Sequence, residues 1–159
     1  MPATGAKFNQ KGNKKVIWLA SAPSDSDAPT QAELAAGTDL TAHVDPSSFS
    51  GFSTTTSTSE IETLATTAVE KIADKISPDD SSMTFYKPYG QTTVWDLFAR
   101  GTTGYVAICV DGLGSGKPSA IYPVEVLERT WVHGTGVQTF RVDFNITTAS
   151  PNDDGTQGA

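Results

Sequence analysis

Val137-Gln138-Thr139-Phe140-Arg141-Val142-Asp143-Phe144-Asn145-Ile146-Thr147 alternates without interruption. In an extended chain, successive side chains point to opposite faces. Phe140, Val142, Phe144 and Ile146 therefore share one face, and Thr139, Arg141, Asp143, Asn145 and Thr147 share the other. A period of two over this length predicts a strand with a core face and a wet face, as in an antiparallel sheet.

The preceding segments extend the same reading. Gly134-Thr135-Gly136 suits a tight hairpin turn. Before it, Ala120 to His133 reads as a long strand whose alternation slips near Leu127-Glu128, which predicts a bulge. Asp111 to Pro118 is a Gly-rich turn, and Tyr105 to Val110 is apolar on both faces, as a central strand must be. Lys15 to Ser21 reads as a short buried strand. Ser82 to Tyr86 places Met83 and Phe85 on one face.

Helical signals are short. Thr30-Gln31-Ala32-Glu33 has capping-box form, with Gly37 as a stop. Thr93 and Asp96 form a variant of the same box, with Gly101 beyond. Thr38 to Val44 is expected to be extended until Pro46. The predicted fold is mainly β, an antiparallel sandwich or barrel with one short flanking helix (at most two) and long loops. Residues 1–14 read as a flexible N-terminal arm, 15–149 as the β domain, and 150–159 as a mobile polar tail.

One segment is ambiguous. Ile61, Leu64, Ala65, Ala68, Ile72 and Ile76 recur at helical spacing, but Thr63, Thr66, Thr67 and Val69 are β-branched and favour strands. Pattern alone leaves both readings open.

Charge is unevenly spread. The net charge is −7, yet Lys7, Lys11, Lys14 and Lys15 precede the first acid, leaving seven cations against 18 acids beyond them. A body that acidic is a poor phosphate binder, because binding nucleic acid requires cations that displace counterions. It suits a surface past which DNA slides. Residues 1–14 are polar and lack the apolar core of a signal peptide. No membrane span is expected, and synthesis in a cytosol is.

Candidate chemistry fails at named positions. Gly112-Leu113-Gly114-Ser115-Gly116-Lys117-Pro118 suggests a phosphate loop, but Asp111 stands where the first Gly is needed and Pro118 where a magnesium-binding hydroxyl is needed. The dinucleotide pattern would need Gly at Lys117. His43 and His133 have no accompanying nucleophile motif. Asp79-Asp80 and Asp153-Asp154 match no calcium loop. Cys109 is alone in an apolar run and reads as core, as do Trp18, Trp95 and Trp131. No catalytic residue, metal or cofactor is expected. Asn145-Ile146-Thr147 has the form of a glycosylation acceptor, with no secretory route to use it.

The order of these features resembles the major tail tube proteins of long-tailed bacteriophages. The pieces that carry the likeness are Val16-Ile17-Trp18, Ala28 to Thr41, Asp79 to Tyr86, the helix leading to Gly101-Thr102-Thr103-Gly104, the Gly112 turn, and Val137 to Thr147. The resemblance implies that Ser53 to Ile76 is extended, with a long loop between strands. It also implies rings, typically hexameric, whose sheets join into one barrel and which stack into a hollow tube conducting viral DNA. Implied partners are further copies of the chain, a tape-measure protein, and tail terminator and baseplate hub proteins. The implied location is the virion, after assembly in the bacterial host cytoplasm.

On that basis Thr139, Arg141, Asp143 and Asn145 are expected to line the lumen. Lys7, Lys11, Lys14 and Lys15 are expected to reach an acidic surface of an adjacent ring. The alternatives are a terminator or hub protein on the same fold, or a carbohydrate- or receptor-binding β-sandwich.

Overall fold

A computed structural model describes residues 12–65, 67–148 and 152–159. The chain runs β1 (Lys15–Leu19), α1 (Gln31–Ala36), β2 (Thr38–Asp39), β3 (Thr54–Ile61), β4 (Glu70–Pro78), β5 (Ser81–Tyr86), α2 (Thr93–Leu97), β6 (Thr103–Cys109), β7 (Pro118–Val132), β8 (Thr139–Ile146) and β9 (Asn152–Thr156). A 7-stranded antiparallel sheet has the order β2-β1-β6-β7-β8-β5, with β9 also paired to β7, while β3 and β4 form a separate hairpin. The mainly-β expectation holds, with two short helices rather than one.

β7 organises the sheet. Its first part pairs with β6 and its second with β8. The register slips between Val126 and Glu128, at the predicted bulge. The slip has a clear physical effect. Before it, Ala120, Tyr122, Val124 and Val126 face the core. After it, the core face falls to Arg129 and Trp131, opposite the buried Val142 and Phe140. Without the extra residue Leu127, Glu128 and Thr130 would face inward and the charge would be buried unpaired.

The main core gathers Val16 and Trp18 of β1, Val106 and Ile108 of β6, Met83 and Phe85 of β5, and all four apolar residues of β8. α2 adds Val94, and Phe98 follows it. Phe98 lies 5.1 Å edge-on to Trp18, 5.1 Å stacked on Phe85 and 5.6 Å edge-on to Phe144. Full burial of such a side chain contributes ~1.5–3 kcal/mol before entropy is counted. The opposite face of β1, β6 and β7 is also covered. Ile17, Leu19, Ala107, Cys109 and Ile121 pack there with Leu34 of α1.

α1 begins as its sequence predicts. The Thr30 hydroxyl accepts from the Glu33 amide at 3.2 Å, and the Glu33 carboxylate accepts from the Thr30 amide at 2.9 Å. The chain turns extended at Gly37, where a Cβ would collide with Ile17 and Leu19. In α2 the cap is Thr92, one residue earlier than expected, and its hydroxyl bonds the Asp96 carboxylate at 2.9 Å rather than capping the backbone. Thr38 to Val44 is extended only through β2. It then turns, and Val44 bridges to Phe85.

Two expectations meet the structure directly. Within Ser53 to Ile76, β3 and β4 are extended strands, as the resemblance implies, and among the described residues the helical spacing is not realised. Residues 152–156 form a strand. β9 continues the line of β8 along the same edge of β7, pairing Pro118 with Thr156. Gln157 is then buried at 2% exposure. The expected mobile segment spans 150–159, of which residues 150 and 151 lie outside the described residues; over 152–156 an open edge of β7 offers backbone partners that a polar strand can use without an apolar face.

Candidate assembly surfaces

The side of β5, β8 and β7 turned from the main core carries rows of polar side chains. Thr139, Arg141, Asp143 and Asn145 all lie on it, on the side of β8 away from the core. Cross-strand register arranges their neighbours in rows. Ser82, Asp143 and Glu128 form one row; Thr84, Arg141 and Thr130 the next; and Tyr86, Thr139 and Val132 the third. Asn145 stands beside Glu125. Arg141 and Asp143, two residues apart on one face, form an ion pair at 2.9 Å. Glu125 and Glu128 add further negative charge, so the acids outnumber the bases on this face. A cleft of about 610 Å³ at its end is bordered by Asp80, Arg100, Glu125, Glu128, Arg141 and Asp143.

Strand edges are a second feature. β6 pairs with β7 only as far as Glu125, with Gly101 and Thr102 bonding Val126. Beyond that point, among the described residues, no strand pairs with the other edge of β7. The β3–β4 hairpin likewise has no further strand on either edge, and its residues are exposed or half-buried throughout. Asp79 anchors its base, accepting from Ser53 at 2.5 Å and Thr55 at 2.7 Å, which lowers the Asp79 pKa.

The basic arm is only partly described. Lys15 is the first residue of β1 and pairs with Asp39 at 3.3 Å. Lys14 stands over the Phe49 ring at 5.0 Å. Both are engaged within their own chain, while Lys7 and Lys11 lie outside the described residues.

The Gly-rich turn is occupied by the chain itself. Gln157 donates to the Gly112 carbonyl at 2.7 Å and accepts from the Gly114 amide at 3.0 Å. Its own carbonyl accepts from the Gly116 amide at 2.8 Å. Amides that a phosphate loop would offer to a ligand are thus spent on Gln157. Sequence reasoning missed this residue, because nothing local marks a lone Gln in a polar tail as a buried partner. Burial pushes the Cys109 thiol up to about 11, away from the reactive thiolate. Among the described residues, no group of three or more His, Cys, Asp or Glu could hold a metal ion.

A two-faced antiparallel sheet, open strand edges and a protruding hairpin are features of a subunit built to join others. A family model described as phage tail tube protein matches residues 1–156. The chain belongs to this family. No curated protein matches it. The tail tube family implies self-assembly into a tube and a place in the virion. It is a structural family, which points away from catalysis. No helix among the described residues is long and apolar enough to cross a membrane.

Proposed function

We propose that this tail tube protein closes into rings, six-fold as in the tubes it resembles, which stack into the channel that conducts viral DNA during ejection from a long-tailed phage. The observation that carries the reading is the two-faced sheet. β8 buries Phe140, Val142, Phe144 and Ile146 and turns Thr139, Arg141, Asp143 and Asn145 outward. In a tube, that outward face lines the lumen. Its excess of acid repels DNA phosphates.

Ring closure follows from the edges. An unpaired strand edge is a template for another chain's backbone. The edge of β7 beyond Val126 and the edges of the β3–β4 hairpin supply donors and acceptors on a single subunit. Joining them between subunits removes the exposed edges and makes one barrel. Because the joined surfaces differ, the contact propagates around a ring rather than closing as a dimer. Lys7 and Lys11 of the arm then reach an acidic surface of an adjacent ring. A tape-measure protein sets the length, terminator and hub proteins close the ends, and assembly takes place in the host cytoplasm.

Negative-stain electron microscopy of the purified protein at rising concentration tests this reading. Hollow tubes of uniform width are expected. Assembly that stops at single rings favours a terminator role, and a chain that stays monomeric overturns the proposal.

A further inference from the structure

Among the described residues two apolar surfaces are left uncovered, and their charges are complementary. The first is the tip of the β3–β4 hairpin. Ile61, Val69 and Ile72 are 40%, 47% and 47% exposed there, and Leu64 is wholly exposed. Glu60, Glu62 and Glu70 surround them. Lys71 is the base beside them, and it pairs with Glu60 at 3.4 Å. The tip is therefore an apolar knob with an acidic collar.

The second surface is a cavity of about 620 Å³ lined by Lys87, Tyr89, Trp131, His133 and Gln138. Its aromatic wall is held from behind. Trp131 stacks on Trp95 at 4.0 Å and 13°, and the Arg129 guanidinium stands 4.4 Å over the Trp95 ring. Tyr89 is wholly exposed, and Val137 extends the apolar surface at 73% exposure. No acid lines the cavity, while Lys87 and His133 do. Two of its polar side chains are engaged within the chain. Gln138 donates to the Val132 and Thr139 carbonyls, both at 2.9 Å, and Lys87 donates to the Pro88 carbonyl at 3.1 Å. The Tyr89 and Trp131 rings offer an aliphatic side chain an apolar seat.

We infer that the occupant is the hairpin tip of a second copy of this chain, with Leu64 seated against Tyr89 and Trp131 and the glutamate collar facing Lys87 and His133. Knob and cavity are different surfaces, so the contact passes from copy to copy instead of closing as a dimer. Burying four aliphatic side chains that are otherwise wet provides the drive. The charges fix which surface is chosen. The inference rests on the tube reading, and it names a contact within the tube.

Paired cysteines test it. The double variant Leu64→Cys/Tyr89→Cys, assembled in reductant at a minority fraction among wild-type subunits and alone, is then oxidised. Subunits alone should give a ladder of covalently linked multimers on a denaturing gel, and the diluted variant mostly dimers. Single variants should give no ladder. Charge reversal supplies the second arm. Lys87→Glu should raise the critical concentration for polymerisation roughly tenfold, and adding Glu62→Lys should restore it. Tubes that form without a ladder, or a Lys87→Glu chain that polymerises normally, overturn the contact while leaving the tube reading intact. Wild-type protein that does not polymerise overturns both.

Discussion

Gln157 donates from Nε2 to the Gly112 carbonyl at 2.7 Å, tying the C-terminal segment to the turn between β6 and β7. The same side chain accepts from Gln31 at 3.0 Å, so it also fastens α1. Three parts of the chain meet at one buried amide. Replacing it leaves the Gly112 carbonyl and Gly114 amide without these partners. Gln157→Ala is expected to cost ~1–3 kcal/mol, read as a lower urea midpoint with an unchanged slope. A wild-type midpoint would mean that the segment is not fixed by this residue.

Gly104 packs under the Trp18 ring, and a Cβ there would strike the ring and approach the Leu19 carbonyl at 2.9 Å. Trp18 has little freedom to yield, being 3% exposed and in edge contact with Phe98. Gly104→Ala is therefore an overpacking change, although its usual effect in a strand is favourable. It should destabilise by ~1–3 kcal/mol, measured by thermal unfolding. A rise in Tm would show that the core can shift to admit the methyl.

The legible parts of the fold were those in which burial differs between faces. β8 alternates because one side is core, and the slip at Leu127 shows in sequence because Glu128 cannot be buried. The Thr30 box is local chemistry and was visible for that reason. Ser53 to Ile76 was ambiguous because the hairpin is exposed on both faces, so no burial imposes a period of two on Ile61, Ile72 and Ile76. β9 was missed because a Gly- and Asp-containing strand is held by the edge of β7 rather than by an apolar face. The four wet residues of β8 were found together, since a strand face is written in alternate positions. The cavity at Trp131 and Tyr89 was not, because it joins separate loops and strands.

Glu33 is held at about 2, against an ordinary 4.5, chiefly by the Ser24 and Thr30 amides. Those bonds measure 2.8 and 2.9 Å. Because the folded value lies below the unfolded one, the stabilisation is complete above pH 4.5 and is lost as pH falls toward 2. The Tm of the wild-type chain should exceed that of Glu33→Gln at neutral pH and approach it in acid. A constant gap across that range would contradict the capping role.

Asn145 is exposed on the wet face beside Glu125. Asn145→Lys should change stability by no more than about 0.5 kcal/mol and leave tubes intact. It places a cation on the surface that DNA is proposed to pass. Phage carrying it should release DNA more slowly in a triggered ejection assay, most markedly at low salt. Unaltered release would count against a lumen position for this residue.

A helical reconstruction of the assembled tube by electron cryo-microscopy tests the central claim most directly. The proposal predicts continuous sheet around the channel, with Thr139, Arg141, Asp143 and Asn145 of every subunit on the lumen wall. Finding those side chains on the outer surface of the tube would contradict it.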